Sequence, residues 1–252
     1  MSDIDSLWDY GDPAGSEARF RVALAGAAAE LRPELLTQIA RAQGLQGRYD
    51  DAQRTLDEVE PTLGGAPPRV RVRYLLERGR VYNSAGDAVR ARPFFADALA
   101  LAAGDPAEAF YAIDAAHMLA IVAPVEEALA WHRRALAMAE AAADKRARRW
   151  RGSLLNNIGW TYHDAGDLSA ALDYLERALV ARQESGSAED VRVARWCVAR
   201  VRRDLGQTAE ALAEQLALRA EYEALGQSNA YVEEEIAELR NTKYERRVKG
   251  DE

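Results

Sequence analysis

Three histidines and one cysteine, His117, His132, His163 and Cys197, are the side chains in this sequence best suited to metal or nucleophilic chemistry. A metal centre needs imidazoles, thiolates or carboxylates at turn or helix spacing, and no two of these histidines stand that close within one helical stretch. His132 falls at an apolar position and reads as a satisfied core histidine. His163, Asp164 and Cys197 supply the types of a base, an acid and a nucleophile, but no nucleophile motif surrounds Cys197. Phosphate-binding glycine loops and the His-Glu-x-x-His pattern are absent from the sequence. Neither catalysis nor a cofactor nor a metal is expected. Recognition chemistry is better represented. The Asn156-Asn157 pair can donate to and accept from a peptide backbone, and arginine, which supplies nearly all of the 33 basic residues, forks onto carboxylates.

The elements that must position these groups repeat. Between Leu154 and Leu179, Leu155, Ile158, Gly159 and Tyr162 share one face of a first helix. Ala165-Gly166-Asp167 breaks that helix, and Ala171, Leu172, Leu175, Ala178 and Leu179 stripe a second. Gly47, Gly86 and Gly206 mark equivalent turns, and Ala123-Pro124 takes the glycine's place in another. The spacings are 39, 37, 43 and 40 residues, so five units emerge. Glycine adopts the left-handed backbone after a helix at little cost, and proline can end one helix and start the next. Small residues recur where paired helices must approach: Gly79 and Gly159, with Ala40, Ala116 and Ala199, on first helices, and Ala52, Ala91, Ala128, Ala171 and Ala211 on second ones. Gly/Pro/Ser clusters near residues 61–68, 104–106, 183–188 and 226–228 separate the units.

The order small residue, tyrosine, glycine, small residue, bulky knob resembles the tetratricopeptide repeat family. Gly79, Tyr82, Gly86, Ala91, Phe95 and Ala98 meet it, as do Gly159, Tyr162, Gly166, Ala171, Leu175 and Ala178. Other units depart from it, with Gln43, Leu119 and Arg202 in the tyrosine column and His132 and Gln215 at the knob. Every spacing exceeds the standard period of about 34 residues, which is similar to the extended subclass found in some peptide-sensing and motor-associated scaffolds. The resemblance implies an all-α, right-handed superhelix. Its expected parts are an arm over residues 1–15, a capping helix over 16–32 with Ser16 as N-cap, and repeats over 33–63, 70–103, 107–143, 148–184 and 189–226. A charged capping helix over 228–248 closes the series, with Tyr231, Ile236, Leu239 and Tyr244 as anchors.

In that family the first helices line a groove, so equivalent positions can be read as columns. One runs Arg41, Arg80, His117, Trp160, Arg200. A second runs Gln38, Glu77, Asp114, Asn157, Cys197, and a third Thr37, Leu76, Ile113, Asn156, Trp196. Arg41, Glu77, Arg80, Asp114, His117, Asn156, Asn157, Trp160, Trp196 and Arg200 are therefore the candidate ligand-binding set. No lysine stands in these columns, which favours an internal acidic or mixed segment of a protein or peptide over a clamped chain end. The bland alternative is a solvated face, with the arginines paired to Glu77, Asp114 and Asp204.

A net charge of -8 disfavours nucleic acid as partner, although Lys145 to Arg151 and Arg192 to Arg203 are locally basic. The basic runs read as solvated helix faces with Trp150 turned inward. One cysteine forms no intrachain disulfide, and no signal sequence or long apolar run occurs, so a cytoplasmic location is expected. Trp8 and Tyr10 pack on the first helix or dock into a neighbour, packing being the simpler reading. The functional expectation is a non-enzymatic interaction scaffold. The alternatives are a ligand-responsive sensor and a protein that self-associates as a homo-oligomer through its arm or its terminal helix.

Overall fold

The structure, a computed structural model, describes residues 4–249, with side chains described as far as Asn241. Every regular element among the described residues is helical. The chain forms two compact units that divide between Arg148 and Arg149.

The first unit begins with a 3-10 turn at Ile4–Leu7 and helix α1 at Pro13–Ala25. Three helical hairpins follow: α2 (Arg32–Leu45) with α3 (Tyr49–Val59), α4 (Pro68–Ser84) with α5 (Ala88–Ala102), and α6 (Ala109–Val122) with α7 (Val125–Ala141). A single turn, α8 (Lys145–Arg148), ends it. The second unit holds α9 (Trp150–Asp164) with α10 (Leu168–Ser185), α11 (Ala188–Asp204) with α12 (Thr208–Ala224), and α13 (Ala230–Lys249). Within each unit, successive helices pack side by side.

Helix α1 starts earlier than its sequence suggests and stops before Leu31. Its N-cap is Asp12, whose carboxylate accepts the Gly15 amide at 2.9 Å, and Pro13 supplies the preset first helical residue. Ser16 is not the cap. It lies buried one turn inside, where its Oγ donates to the Asp9 carbonyl and accepts the Asp9 amide.

Gly47, Gly86, Gly166 and Gly206 take φ values of 74°, 87°, 80° and 80°, the left-handed conformation the turns require. The residue after each glycine then donates its amide at 2.9 Å to a carbonyl five residues back, at Gln43, Tyr82, Tyr162 and Arg202. Only backbone atoms make this bond, so the turn survives where the tyrosine column has degenerated. Where tyrosine is kept it stacks on an aromatic of the second helix, Tyr82 on Phe94 at 5.6 Å and Tyr162 on Tyr174 at 5.4 Å. The third turn uses extended backbone at Ala123 and Pro124 instead.

The small-residue positions are tight. A Cβ on Gly79 would lie 2.6 Å from the Phe95 ring, and one on Gly159 would lie 2.7 Å from Leu175 Cγ. The knobs Leu56, Phe95, His132, Leu175 and Gln215 are all buried. In α13, Ile236 and Leu239 are buried as expected, but the third anchor is Val232, because Tyr231 lies on the open side of the helix and is 68% exposed. Tyr244 lies outside the residues whose side chains are described.

Candidate functional site

The first helices bring the column residues together in a specific pairing. Arg41 of α2 donates to Glu77 of α4 at 3.3 Å, and Arg80 of α4 donates to Glu77 and to Asp114 of α6. Arg200 of α11 repeats this with Glu235 of α13 at 2.6 Å, joined there by Arg203. In each case an arginine of one repeat meets the acid that stands three residues ahead of the equivalent position in the next helix. Glu77, Asp114 and Glu235 are buried. Burial alone would depress the Arg80 pKa, but the carboxylates of Asp114 and Glu77 outweigh it and raise the value above that of a free guanidinium. The arginines do hold carboxylates, and those carboxylates belong to the chain. Asp204, expected to join them, lies 3.6 Å from Arg200 and also binds His163.

On the same face of the first unit, Thr37, Leu76 and Ile113 are buried, and Gln38 accepts the Trp8 indole N–H at 2.9 Å. Trp8 meets Phe20 edge-on at 5.0 Å, the packing role its position suggested. His117 is half-buried, and its ring centre lies 5.8 Å from that of His132. Burial lowers both imidazole pKa values, that of His132 to about 4. His132 belongs to the core but is not satisfied there, since its buried Nδ1 finds no partner among the described residues.

The second unit presents its columns differently. Asn156, Asn157, Trp160 and Trp196 are half-buried rather than sealed. Neither asparagine carboxamide makes a hydrogen bond among the described residues, so both are available. The indole rings of Trp160 and Trp196 lie 6.4 Å apart, and Trp196 donates to the Tyr231 carbonyl at 3.2 Å. Beside Trp196 opens an almost wholly apolar cavity of about 250 Å³, lined by Val193, Cys197, Tyr222, Tyr231 and Val232. Nothing in the repeat pattern signalled this cavity, because its outer wall comes from the exposed Tyr231 of the terminal helix.

Cys197 is a buried thiol whose pKa burial pushes up to about 11, the reverse of an activated nucleophile. His163 is engaged elsewhere, with Asp204 at 2.9 Å and Asp164 at 3.4 Å. Among the described residues no group of acids, histidines and cysteine could hold a metal ion. No described helix is long and apolar enough to cross a membrane.

The stretch from Arg192 to Arg203 is neutralised by acids, and that from Lys145 to Arg151 in part. Arg146 pairs with Asp5, Arg151 with Glu184, Arg192 with Glu189, Arg195 with Glu214 and Glu221, and Arg202 with Glu176. The missed partner Glu235 did leave a signal: it stands 35 residues after Arg200, as Glu77 stands 36 after Arg41 and Asp114 stands 34 after Arg80.

Residues 112–184 match the family model described as tetratricopeptide repeat. Over that stretch the chain carries tetratricopeptide-type repeats. In fold these repeats are similar to those of BtubC (BKLC) from P. vanneervenii, with a TM-score of 0.66 at 17% identity over 91% of this chain and 94% of that one. Aspartyl phosphate phosphatase F from Bacillus subtilis gives 0.66 at 16% identity, over 94% of this chain and 62% of that one. A Rap protein complexed with Competence and Sporulation Factor gives 0.60 at 15% identity, over 98% and 71%. At such identities the likeness is one of fold. No curated protein sequence matches the chain.

Proposed function

We propose that the repeats form a non-enzymatic, cytoplasmic interaction scaffold that holds an extended internal segment of a protein or peptide on the first-helix face of its second unit. The observation that carries this reading is the second unit's pair of unengaged carboxamides, Asn156 and Asn157, beside Trp160 and Trp196. An extended backbone has unpaired N–H and C=O groups, and an asparagine carboxamide complements both at once. The indoles offer apolar surface with little rotamer freedom to lose, and the adjoining cavity of about 250 Å³ has room for one bulky apolar side chain. A structural neighbour is complexed with Competence and Sporulation Factor, which supports a binding role for repeats of this fold.

In the second unit Arg200 already holds the chain's own acid, so it frames the face while the asparagines and tryptophans make the contacts. In the first unit Arg41, Glu77, Arg80 and Asp114 are likewise occupied by one another, with His117 beside them. An acidic partner is therefore a weaker expectation for the second unit than an apolar one. The test is affinity capture with the native chain and with the Asn156→Ala/Asn157→Ala variant. The expected result is loss of captured partners at unchanged melting temperature. Retention of every partner by the folded variant would remove the reading.

A further inference from the structure

Residues 4–12 cross the face that α2, α4 and α6 present in the first unit. The 3-10 turn sets Ile4, Leu7 and Trp8 against Phe20, Leu35 and Ile39, and the Trp8 indole stacks on Tyr10 at 4.8 Å while donating to Gln38 of α2. Asp5 reaches further. Its carboxylate accepts from Arg73 of α4 at 2.7 Å and pairs with Arg146 of α8 at 2.8 Å. Arg73 is itself held by Glu34 of α2 at 3.2 Å and donates to the Tyr111 hydroxyl of α6. Asp5 thus sits where the first helices of three repeats converge, further than a cap on the first repeat needs to extend.

The way the segment is held is also unlike a structural element. No backbone hydrogen bond joins residues 4–12 to α2, α4 or α6 among the described residues; side chains alone make those contacts, and the backbone groups of Leu7 and Asp9 are hydrogen-bonded to Arg19 and Ser16 of α1. A cleft of about 650 Å³ that opens to solvent runs along the segment, with Ile4, Asp5 and Leu7 on one side and Glu34, Arg73 and Arg146 on the other. Close packing is the norm for a permanent core, and along this side the segment borders an open cleft instead. Lifting Asp5 away would leave Arg146 without its carboxylate partner and Arg73 with one carboxylate, Glu34, beside the Tyr111 hydroxyl. The vacated face would offer two guanidinium groups and, near Gln38, an apolar seat of indole size.

We infer that residues 4–12 are a displaceable occupant of this face, which receives from a partner protein a segment of like chemistry, a 3-10 turn with a carboxylate three residues ahead of an indole. The inference goes beyond the reading of the second unit and stands or falls without it, because none of its residues belongs to that unit.

The test uses a fluorescent peptide of residues 1–12, titrated by anisotropy into three full-length or near-full-length proteins. These are the native chain, the chain lacking residues 1–12, and the full chain carrying Asp5→Asn and Trp8→Ala. A tethered segment competes at an effective concentration of roughly millimolar. The peptide is therefore expected to bind both altered chains at least about tenfold more tightly than the native one. An Asp5→Lys or Trp8→Ala peptide is expected to lose that binding, and an alanine-rich peptide keeping only the acid and the indole at their spacing to retain it. Should the truncated chain fail to fold, the substituted full chain gives the same reading. In the native chain, excess peptide should raise amide exchange across residues 4–12. Equal affinity for native and altered chains, or no binding to a folded altered chain, overturns the inference. So does a native chain that doubles in mass by exchanging arms, since the occupant would then be a second copy.

Discussion

His132 occupies the knob position that other repeats fill with Leu56, Phe95 and Leu175, and this makes the first unit sensitive to acid. Burial, reinforced by the neighbouring His117, holds its folded-state pKa at about 4, against an ordinary value of 6.5. Above the ordinary value the imidazole is neutral in both folded and unfolded chains and contributes no pH dependence. As pH falls below it, the unfolded chain binds a proton that the folded chain refuses, so stability is lost progressively down to the folded value. The full difference corresponds to about 3 kcal/mol, of which about 2 kcal/mol is already lost near pH 5. His117 shifts in the same direction, lowered by burial, with Asp114 opposing and Arg80 assisting. Replacing His132→Leu removes the titrating group and fills the position with a side chain the other repeats accept. Urea denaturation near pH 7.5 and near pH 5, followed by circular dichroism, should show the variant losing about 2 kcal/mol less than the native chain between the two conditions. Equal losses in the two proteins would refute the assignment of the acid sensitivity to this histidine.

Three further substitutions follow from the same packing. Gln215 is fully buried and neither carboxamide atom has a partner among the described residues, so Gln215→Leu should stabilise the chain by about 1–2 kcal/mol in thermal melts. Arg80→Met strands Asp114 as a buried acid and leaves Glu77 to Arg41 alone, and should cost about 3–5 kcal/mol by urea denaturation. Gly159→Ala drives a Cβ into Leu175 and towards the Ala171 carbonyl, and a loss of about 1–3 kcal/mol is expected by the same measurement.

The fold was legible because its rules are local. A left-handed glycine ends a helix whatever surrounds it, and Gly47, Gly86, Gly166 and Gly206 could be read directly from their place between two apolar stripes. The knob and small-residue columns were legible for a related reason, since helix periodicity states which face is covered. The start of α1 was not, because Asp12 and Ser16 are both good caps and Pro13 decides between them. At the site, the columns correctly grouped Arg41, Arg80 and Arg200, but a column does not say how deeply a side chain is sunk. Whether an arginine faces a ligand or a neighbour's acid depends on the distance between successive first helices, and no single helix encodes it. The seating of Asp5 on Arg73 and Arg146 was least legible of all, since it joins residues 68 and 141 positions apart with no periodic signal.

The arginine–acid pairs make the repeats directional and unequal. The first repeat, through Arg41, only gives a cation forward; the second both receives one at Glu77 and gives one at Arg80; the third receives at Asp114 but offers His117 in the giving position. The series of charges therefore stops at the third repeat and resumes with Arg200 and Glu235. The division of the chain into two units falls within the interval that lacks such a pair. By this grammar the second repeat can follow a copy of itself, with Arg80 of one meeting Glu77 of the next. Duplicating the third would bury an Asp114 opposite a histidine, with no guanidinium to neutralise it. Gene duplication could lengthen such a protein at one place and not at the next, and the permitted place is set by two buried charges and no feature of the outer surface.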